Sequence, residues 1–366
     1  MSENSLNYLS KEKINVAVLG AAGVVGQVFV QALSHHAWFT LAAVIGSDSK
    51  AGKLYSAETQ WLLPSPLPEP ATKLILENLD MDSLKKRGIR IIFSALPAEA
   101  AKTIEPTLRE KGFYIFSNAG ALRYEKDVPI LIPEVNPEAL ANIKNQGFPN
   151  KGFVVTNANC STTGLAVALA PLKKFGIKEV FVSTYQSISG AGYPGLASFD
   201  IMNNTIPYIQ GEEEKMIVEL EKILELGAAV YPHCVRVPVL FGHLETVWLS
   251  FEKPVETDDI RGAWQKFECA HPGLPSLPLH PVVYSDESRF PQSKMSFWGS
   301  PSGMQVFTGR LRKEKERVGF SLLVNNLVKG AAGGAIANAE LFLHTYGYEC
   351  GLNTGGQEVN DEKDRG

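Results

Sequence analysis

The chain has 366 residues, 45% hydrophobic and 20% charged, enough apolar material for two packed domains and too much for a disordered chain. A net charge of −4 without a run of Lys or Arg excludes a basic nucleic-acid surface, and no stretch approaches the roughly 18 apolar residues that span a bilayer. Residues 1–13 lack the apolar core of an export signal, so a cytoplasmic protein handling small polar molecules, with no membrane or nucleic-acid partner, is expected.

The first third alternates short β-branched runs with helical patterns. Residues 14–19 read as a buried strand, and Gly20-Ala-Ala-Gly-Val-Val-Gly26 turns it into an apolar helix running to about residue 33. Further strands are expected over 41–45, 89–93 and 113–117, with a helix over 98–111. This βαβ alternation predicts a doubly wound parallel sheet of Rossmann type. The glycines form G-x-x-G-x-x-G instead of G-x-G-x-x-G, yet they occupy the strand-to-helix turn whose free N–H groups cradle a pyrophosphate. Close helix packing alone is the plainer reading of three glycines. Their place after a first strand favours the cofactor, with Gly20, Ala22, Gly23, Val24, Val25 and Gly26 as its contacts. After the second strand, Ser47 and Ser49 with neighbouring lysines suit a 2′-phosphate and favour NADP(H), whereas Asp48 between them is what an NAD ribose would want. Ser94 is assigned to the same cofactor site.

The most informative segment is Asn157-Ala-Asn-Cys-Ser-Thr-Thr-Gly164, which sets Cys160 between a strand-like run (152–156) and a helix-like run (165–172). A thiol at a helix N-terminus meets unpaired N–H groups and the positive end of the dipole, so Cys160 reads as a nucleophile of lowered pKa; a small buried hydrophobe is the alternative. The other cysteines, Cys234, Cys269 and Cys350, stand far apart with no C-x-x-C pair, which predicts reduced thiols, no disulfide frame and no metal site. Cys160 is expected to react faster than these three.

Beyond Cys160, strands are expected over 178–187, 233–240, 245–251 and 303–311, with helices over 212–226 and 258–268 and a final helical pattern over 324–344. The division expected is a nucleotide domain (1–158), an α+β catalytic and dimerisation domain with a mixed sheet (159–323), a C-terminal helix returning to the nucleotide domain (324–350) and a disordered tail (351–366).

Taken together, these motifs resemble the aspartate-β-semialdehyde dehydrogenases over about residues 14–340. The likeness is carried by the glycine turn, Ser117-Asn-Ala-Gly-Ala-Leu-Arg123, Asn159-Cys-Ser-Thr-Thr-Gly164, Gln186-Ser-Ile-Ser-Gly-Ala-Gly192, Gly211-Glu-Glu-Glu-Lys215, Arg236-Val-Pro-Val-Leu-Phe-Gly-His243 and Asn326-Leu-Val-Lys-Gly-Ala-Ala332. The stretch from Tyr208 to Met216 points to the archaeal and fungal branch. The resemblance implies NADPH-dependent reduction of β-aspartyl phosphate to aspartate β-semialdehyde with release of phosphate, on the route to lysine, methionine, threonine and isoleucine. It implies Cys160 as the nucleophile forming a thioester, His243 as the proton-transfer group titrating near neutrality and Gln186 as the residue orienting the acyl group. Arg236 would hold the substrate carboxylate through a bidentate fork, Arg123 and Lys215 would face phosphate, Glu212 the substrate ammonium, and Asn159 would belong to the same substrate site. Ser189, Gly190 and Asn326 would lie near the nicotinamide. A homodimer or homotetramer is implied as well.

One geometric difficulty accompanies that reading. Arg236 and His243 are an odd number of residues apart, so on one strand they would point to opposite faces unless Pro238 or Gly242 made a bulge. Within the helix from Glu212, Glu213 and Glu214 read as a solvated face. The sequence departs from the usual pattern at Ala158 before Asn159, in the Gly-Ala-Leu before Arg123, and at Asp48. An acyl-CoA reductase of the malonyl-CoA type is the alternative in the same chemistry; a non-catalytic nucleotide sensor and a metal hydrolase are alternatives from other classes, and the histidines show no metal-ligand spacing.

Overall fold

The computed structural model describes residues 13–352. The residues read as a signal-free start and most of the tail read as disordered lie outside the described residues.

The nucleotide-domain sheet is built from β1 (Ile14–Leu19), β2 (Phe39–Ile45), β3 (Leu76–Glu77), β4 (Ile91–Ser94), β5 (Tyr114–Ser117) and β6 (Phe153–Thr156). All are parallel, in the order 3-2-1-4-5-6. Their residues are buried almost throughout, as a sheet covered on both faces requires. Helix α1 (Val24–Leu33) follows the glycine turn, α2 (Tyr55–Glu58) and α3 (Met81–Lys86) flank the short β3, and α4 (Ala98–Glu110) crosses between β4 and β5. The strand order reverses between β1 and β4, so the crevice at their carboxyl ends is the place for a dinucleotide.

Helix α5 (Cys160–Leu169) leads into a mixed sheet of β7 (Ile177–Gln186), β8 (Ala229–Arg236), β9 (His243–Phe251), β10 (Val282–Ser285), β11 (Val306–Glu314) and β12 (Arg317–Val324), in the order 10-11-12-9-7-8. Short α6 (Ser198–Ile201) and longer α7 (Glu212–Leu224) intervene between β7 and β8, and α8 (Thr257–Gln265) follows β9. Helix α5 lies so close to the inner face that a Cβ on Gly164 would come within 2.7 Å of Val324. The expected parallel and mixed sheets are both present.

Three expectations are corrected. The strand expected over 233–240 ends at Arg236, and residues 237–242 form a loop with Gly242 at φ +86°. Strands β10 and β12 were not expected. The helix expected from residue 324 begins later, because Val324 ends β12. There the Asn325 side chain accepts from the N–H groups of Leu327 (3.0 Å) and Val328 (2.9 Å), turning the chain into a π-helical segment (Val328–Ala332) ahead of α9 (Gly333–Tyr346). Helix α9 is buried almost all round and returns to the parallel sheet, where Phe342 packs 4.8 Å from the Phe153 ring and 5.1 Å from the Tyr114 ring.

Candidate active site

The difficulty with Arg236 and His243 resolves through topology. They do not share a strand: Arg236 ends β8 and His243 begins β9, with β7 between. Gln186 pairs with Arg236 across β7 and β8, and Tyr185 pairs with Leu244 across β7 and β9, so Arg236, Gln186 and His243 form one row on the buried face. No bulge is needed. Helix α5 sets Cys160 over this row, with Sγ 3.1 Å from His243 Nε2.

Asn159 caps α5: its Oδ1 accepts from the backbone N–H of Ser161 (3.1 Å) and Thr162 (3.4 Å) and from the Ser161 hydroxyl (2.7 Å). The thiol therefore shares with Asn159 the N–H groups expected to acidify it. Burial, reinforced by the Glu212 carboxylate, pushes the Cys160 thiol up to about 12, outweighing Arg236, the Ser161 N–H and Arg123, which pull it down. Burial, reinforced by Arg236, lowers His243 to about 3. Both shifts favour a neutral thiol beside a neutral imidazole, so the lowered thiol pKa and the near-neutral histidine read from sequence are corrected. Burial also raises Cys234 to about 12 and raises Cys269 and Cys350, so acidity does not single out Cys160.

The histidine's tautomer follows from its other side. The backbone N–H of Ser187 donates to His243 Nδ1 at 3.1 Å, which places the neutral ring's proton on Nε2, facing the sulfur. Asn326 holds this arrangement: its Oδ1 accepts from the Gly242 N–H (2.9 Å) and the Ser187 hydroxyl (3.2 Å), and its Nδ2 donates to Ser189 Oγ (3.0 Å). Gly190 lies against the row, where a Cβ would be 2.8 Å from Arg236 Nη1 and 3.1 Å from the His243 ring. Arg236 donates to the Ser187 carbonyl at 2.6 Å. On the other flank Glu212 accepts from Asn159 Nδ2 (2.8 Å), Gln186 Nε2 (3.4 Å) and Lys215 Nζ (2.9 Å).

At the switch point Gly20 has φ +70° and a Cβ there would sit 2.6 Å from the Ala95 carbonyl, while one on Gly26 would sit 2.2 Å from the Gly20 carbonyl. Only glycine closes this turn. A cleft of about 420 Å³ opens beside it, lined by Gly20, Ala22, Gly23, Ser47, Asp48 and Lys50 among others. The tight turn, the exposed Gly23 and the polar 47–50 loop fit a dinucleotide's phosphate and ribose. Val24, Val25 and Gly26 do not line the cleft; they begin α1. Ser94 is buried at the end of β4 with its hydroxyl unpaired.

Residues 15–143 match the semialdehyde dehydrogenase NAD-binding domain and residues 169–329 the semialdehyde dehydrogenase dimerisation domain. An aspartate-semialdehyde dehydrogenase of Archaeoglobus fulgidus is 40% identical, the match covering 90% of this chain and 98% of that one. The chain belongs to the semialdehyde dehydrogenase family. A malonyl-CoA reductase (NADP) of Metallosphaera sedula is 32% identical over 91% of this chain and 98% of its own. The crystal structure of Candida albicans aspartate semialdehyde dehydrogenase with NADP superposes with a TM-score of 0.80 at 32% identity, covering 90% of this chain and 98% of that one.

Within this family fold the anion residues sit differently from the expectation. Arg123 is 5% exposed and ion-paired with Glu219 at 2.8 Å, its Nη2 donating to the Asn118 carbonyl at 3.3 Å, whereas Lys215 is half-exposed. Glu213 is no solvated residue, since it accepts from the Cys234 N–H at 3.0 Å. Sequence reasoning missed Ser187, Asn118, Asn157 and Glu219. Asn118 joins the carboxyl ends of β4 and β6, donating to the Ser94 carbonyl (3.1 Å) and accepting from Asn157 Nδ2 (2.7 Å). Both Asn118 and Ser187 stood inside quoted motifs, which was the available signal. Glu245, also missed, is fully buried two residues past His243 with both oxygens unpaired, and burial raises its pKa well above the usual carboxyl range.

Proposed function

We propose that this chain is a phosphorylating aspartate-β-semialdehyde dehydrogenase using NADP(H). The observation that carries the reading is the Cys160–His243 pair at 3.1 Å beside a buried guanidinium, Arg236, that can take a substrate carboxylate. Arg236 fixes one end of an aspartyl acyl group and Gln186 its middle, presenting the carbonyl carbon to Sγ. Sulfur attacks that carbon, the acyl–phosphate bond breaks, and the thiol proton leaves with the phosphate. Cys160 then carries a thioester. When bound, a reduced nicotinamide supplies hydride to the thioester carbon. His243 Nε2–H is the donor facing the reacting sulfur; it hydrogen-bonds the departing thiolate as the aldehyde forms, and a proton taken up from solvent restores the thiol. Lys215, at the half-exposed rim, meets the incoming phosphate first. Ser47, Asp48 and Lys50 line the cleft for the adenosine end, with Ser49 bonded to Ser47 at 3.1 Å. Ser189, Gly190 and Asn326 shape the nicotinamide end.

The reading includes a cytoplasmic homo-oligomer. The outer face of the mixed sheet exposes Tyr231 and Tyr185 beside Phe181 and Trp248, an apolar face suited to a second copy.

The test is reduction of NADP by aspartate β-semialdehyde with and without phosphate, beside oxidation of NADPH by malonyl-CoA. Phosphate-dependent turnover with the semialdehyde is expected. Turnover only with malonyl-CoA would keep the Cys160 chemistry and overturn the substrate.

A further inference from the structure

Helix α7 carries Glu212, Lys215, Glu219 and Lys222 at spacings of three, four and three, which is one face of a helix. The first two belong to the site already described. Glu219 is fully buried, and its two oxygens go to different places. Oε1 accepts from Arg123 Nη1 (2.8 Å) and the Tyr124 hydroxyl (3.1 Å), whereas Oε2 accepts from the backbone N–H of Asn159 (2.6 Å), the residue before the nucleophile. One turn on, Lys222 Nζ donates to the carbonyls of Arg123 (2.9 Å), Glu125 (3.1 Å) and Val128 (2.9 Å), holding the same loop by its main chain.

A buried carboxylate is held charged only where charge-assisted hydrogen bonds replace its water, and here both partners belong to catalytic segments. We propose that Arg123 meets the substrate phosphate behind Lys215, and that Glu219 is a positioning residue that couples this guanidinium to the turn carrying Cys160. One rigid carboxylate fixes the two relative to each other, and its charge half-neutralises Arg123, so that a substrate phosphate competes with Glu219 for that cation. Phosphate capture at Arg123 therefore changes the bond that Glu219 makes to Asn159, and with it the environment of the thiol.

This inference rests on the phosphorylating reading and separates from it by experiment. Glu219→Gln keeps the volume and an acceptor for the Asn159 N–H but removes the charge facing Arg123. Tyr124→Phe removes only the hydroxyl on Oε1, on a half-exposed ring, and serves if the first variant folds poorly. Phosphate KM, kcat, melting temperature and the alkylation rate of Cys160 by iodoacetamide at pH 7.5 are measured for each. Glu219→Gln is expected to lower phosphate KM, because Arg123 is freed, to lower kcat about ten- to a hundredfold, because the geometry loosens, and to speed alkylation, because negative charge near the thiol is lost. Tyr124→Phe leaves Glu219 charged and removes a donor that competes with Arg123 for Oε1, so it should raise phosphate KM and slow alkylation, by less. A variant that melts lower yet keeps wild-type phosphate KM and alkylation rate would show a merely structural role and overturn the proposal. Absence of phosphate-dependent turnover in the wild type would overturn the substrate reading instead, leaving alkylation to decide the coupling.

Discussion

Cys160 and His243 meet as neutral groups because the protein around them is low in polar solvent and because their charged neighbours act in opposition. Glu212 disfavours a thiolate, and Arg236 disfavours an imidazolium. The sign is clear: a thiol raised to about 12 stays protonated throughout the physiological range, and an imidazole lowered to about 3 stays neutral there. Alkylation of Cys160 by iodoacetamide should accordingly climb steadily from pH 6 to pH 10 with no plateau. A plateau beginning near neutrality would mean that an ion pair already exists in the free enzyme and would refute the neutral pairing. The direction was not legible in sequence, where Cys160 at a helix start promised a lowered pKa. What opposes it is burial, which the chain order does not state, and the carboxylate of Glu212, 52 positions away.

At the scale of elements, the π-helical segment is the part that reaches behind the nucleophile. A Cβ on Gly330 would sit 2.7 Å from Cys160 Cβ, so that segment forms the back wall of the thiol. It is held by Lys329, whose ammonium pairs with Glu134 with both side chains buried, and by the Ala331 carbonyl, which accepts from Asn157 at 2.6 Å. Removing one member of a buried pair leaves an uncompensated charge. Lys329→Met should cost about 3–5 kcal/mol, whereas Lys329→Met with Glu134→Leu should recover most of that loss, as read by denaturant unfolding. Failure of the double variant to recover would show that the two positions do not act as a pair. The sequence pattern did not reveal this segment, because Leu322, Leu323 and Val324 before the Asn325-Asn326 pair, and Leu327 and Val328 after it, suit a strand end as well as a helix start. Asn325, through its side-chain turn, decides between them.

For the whole molecule, the two sheets and the returning helix were readable because each rests on a strong local pattern: buried β-branched strands, a glycine turn after the first of them, and an almost uniformly buried terminal helix. Long-range pairing was not readable. The row of Arg236, Gln186 and His243 exists only because β7 inserts between β8 and β9, and no spacing along the chain states that order. Glu219 was hidden for a similar reason, since an acidic residue on an amphipathic helix looks solvated until the Arg123 loop is seen to cover it. The domain interface adds a further contact of this kind, in which Glu340 of α9 accepts from the Ser276 N–H at 3.0 Å and from its hydroxyl at 2.6 Å, with His36 Nε2 at 2.8 Å.

The proposed acyl transfer through Cys160 is open to a single-turnover experiment. Enzyme, NADP and aspartate β-semialdehyde are mixed without phosphate, and nicotinamide absorbance is followed while peptide mass reports on Cys160. A burst of about one reduced nicotinamide per subunit, an acyl group on Cys160 and steady turnover starting on addition of phosphate are predicted, all lost in Cys160→Ser. A burst that survives in Cys160→Ser, or turnover with no acyl group ever found on Cys160, would rule out this thiol as the acyl carrier.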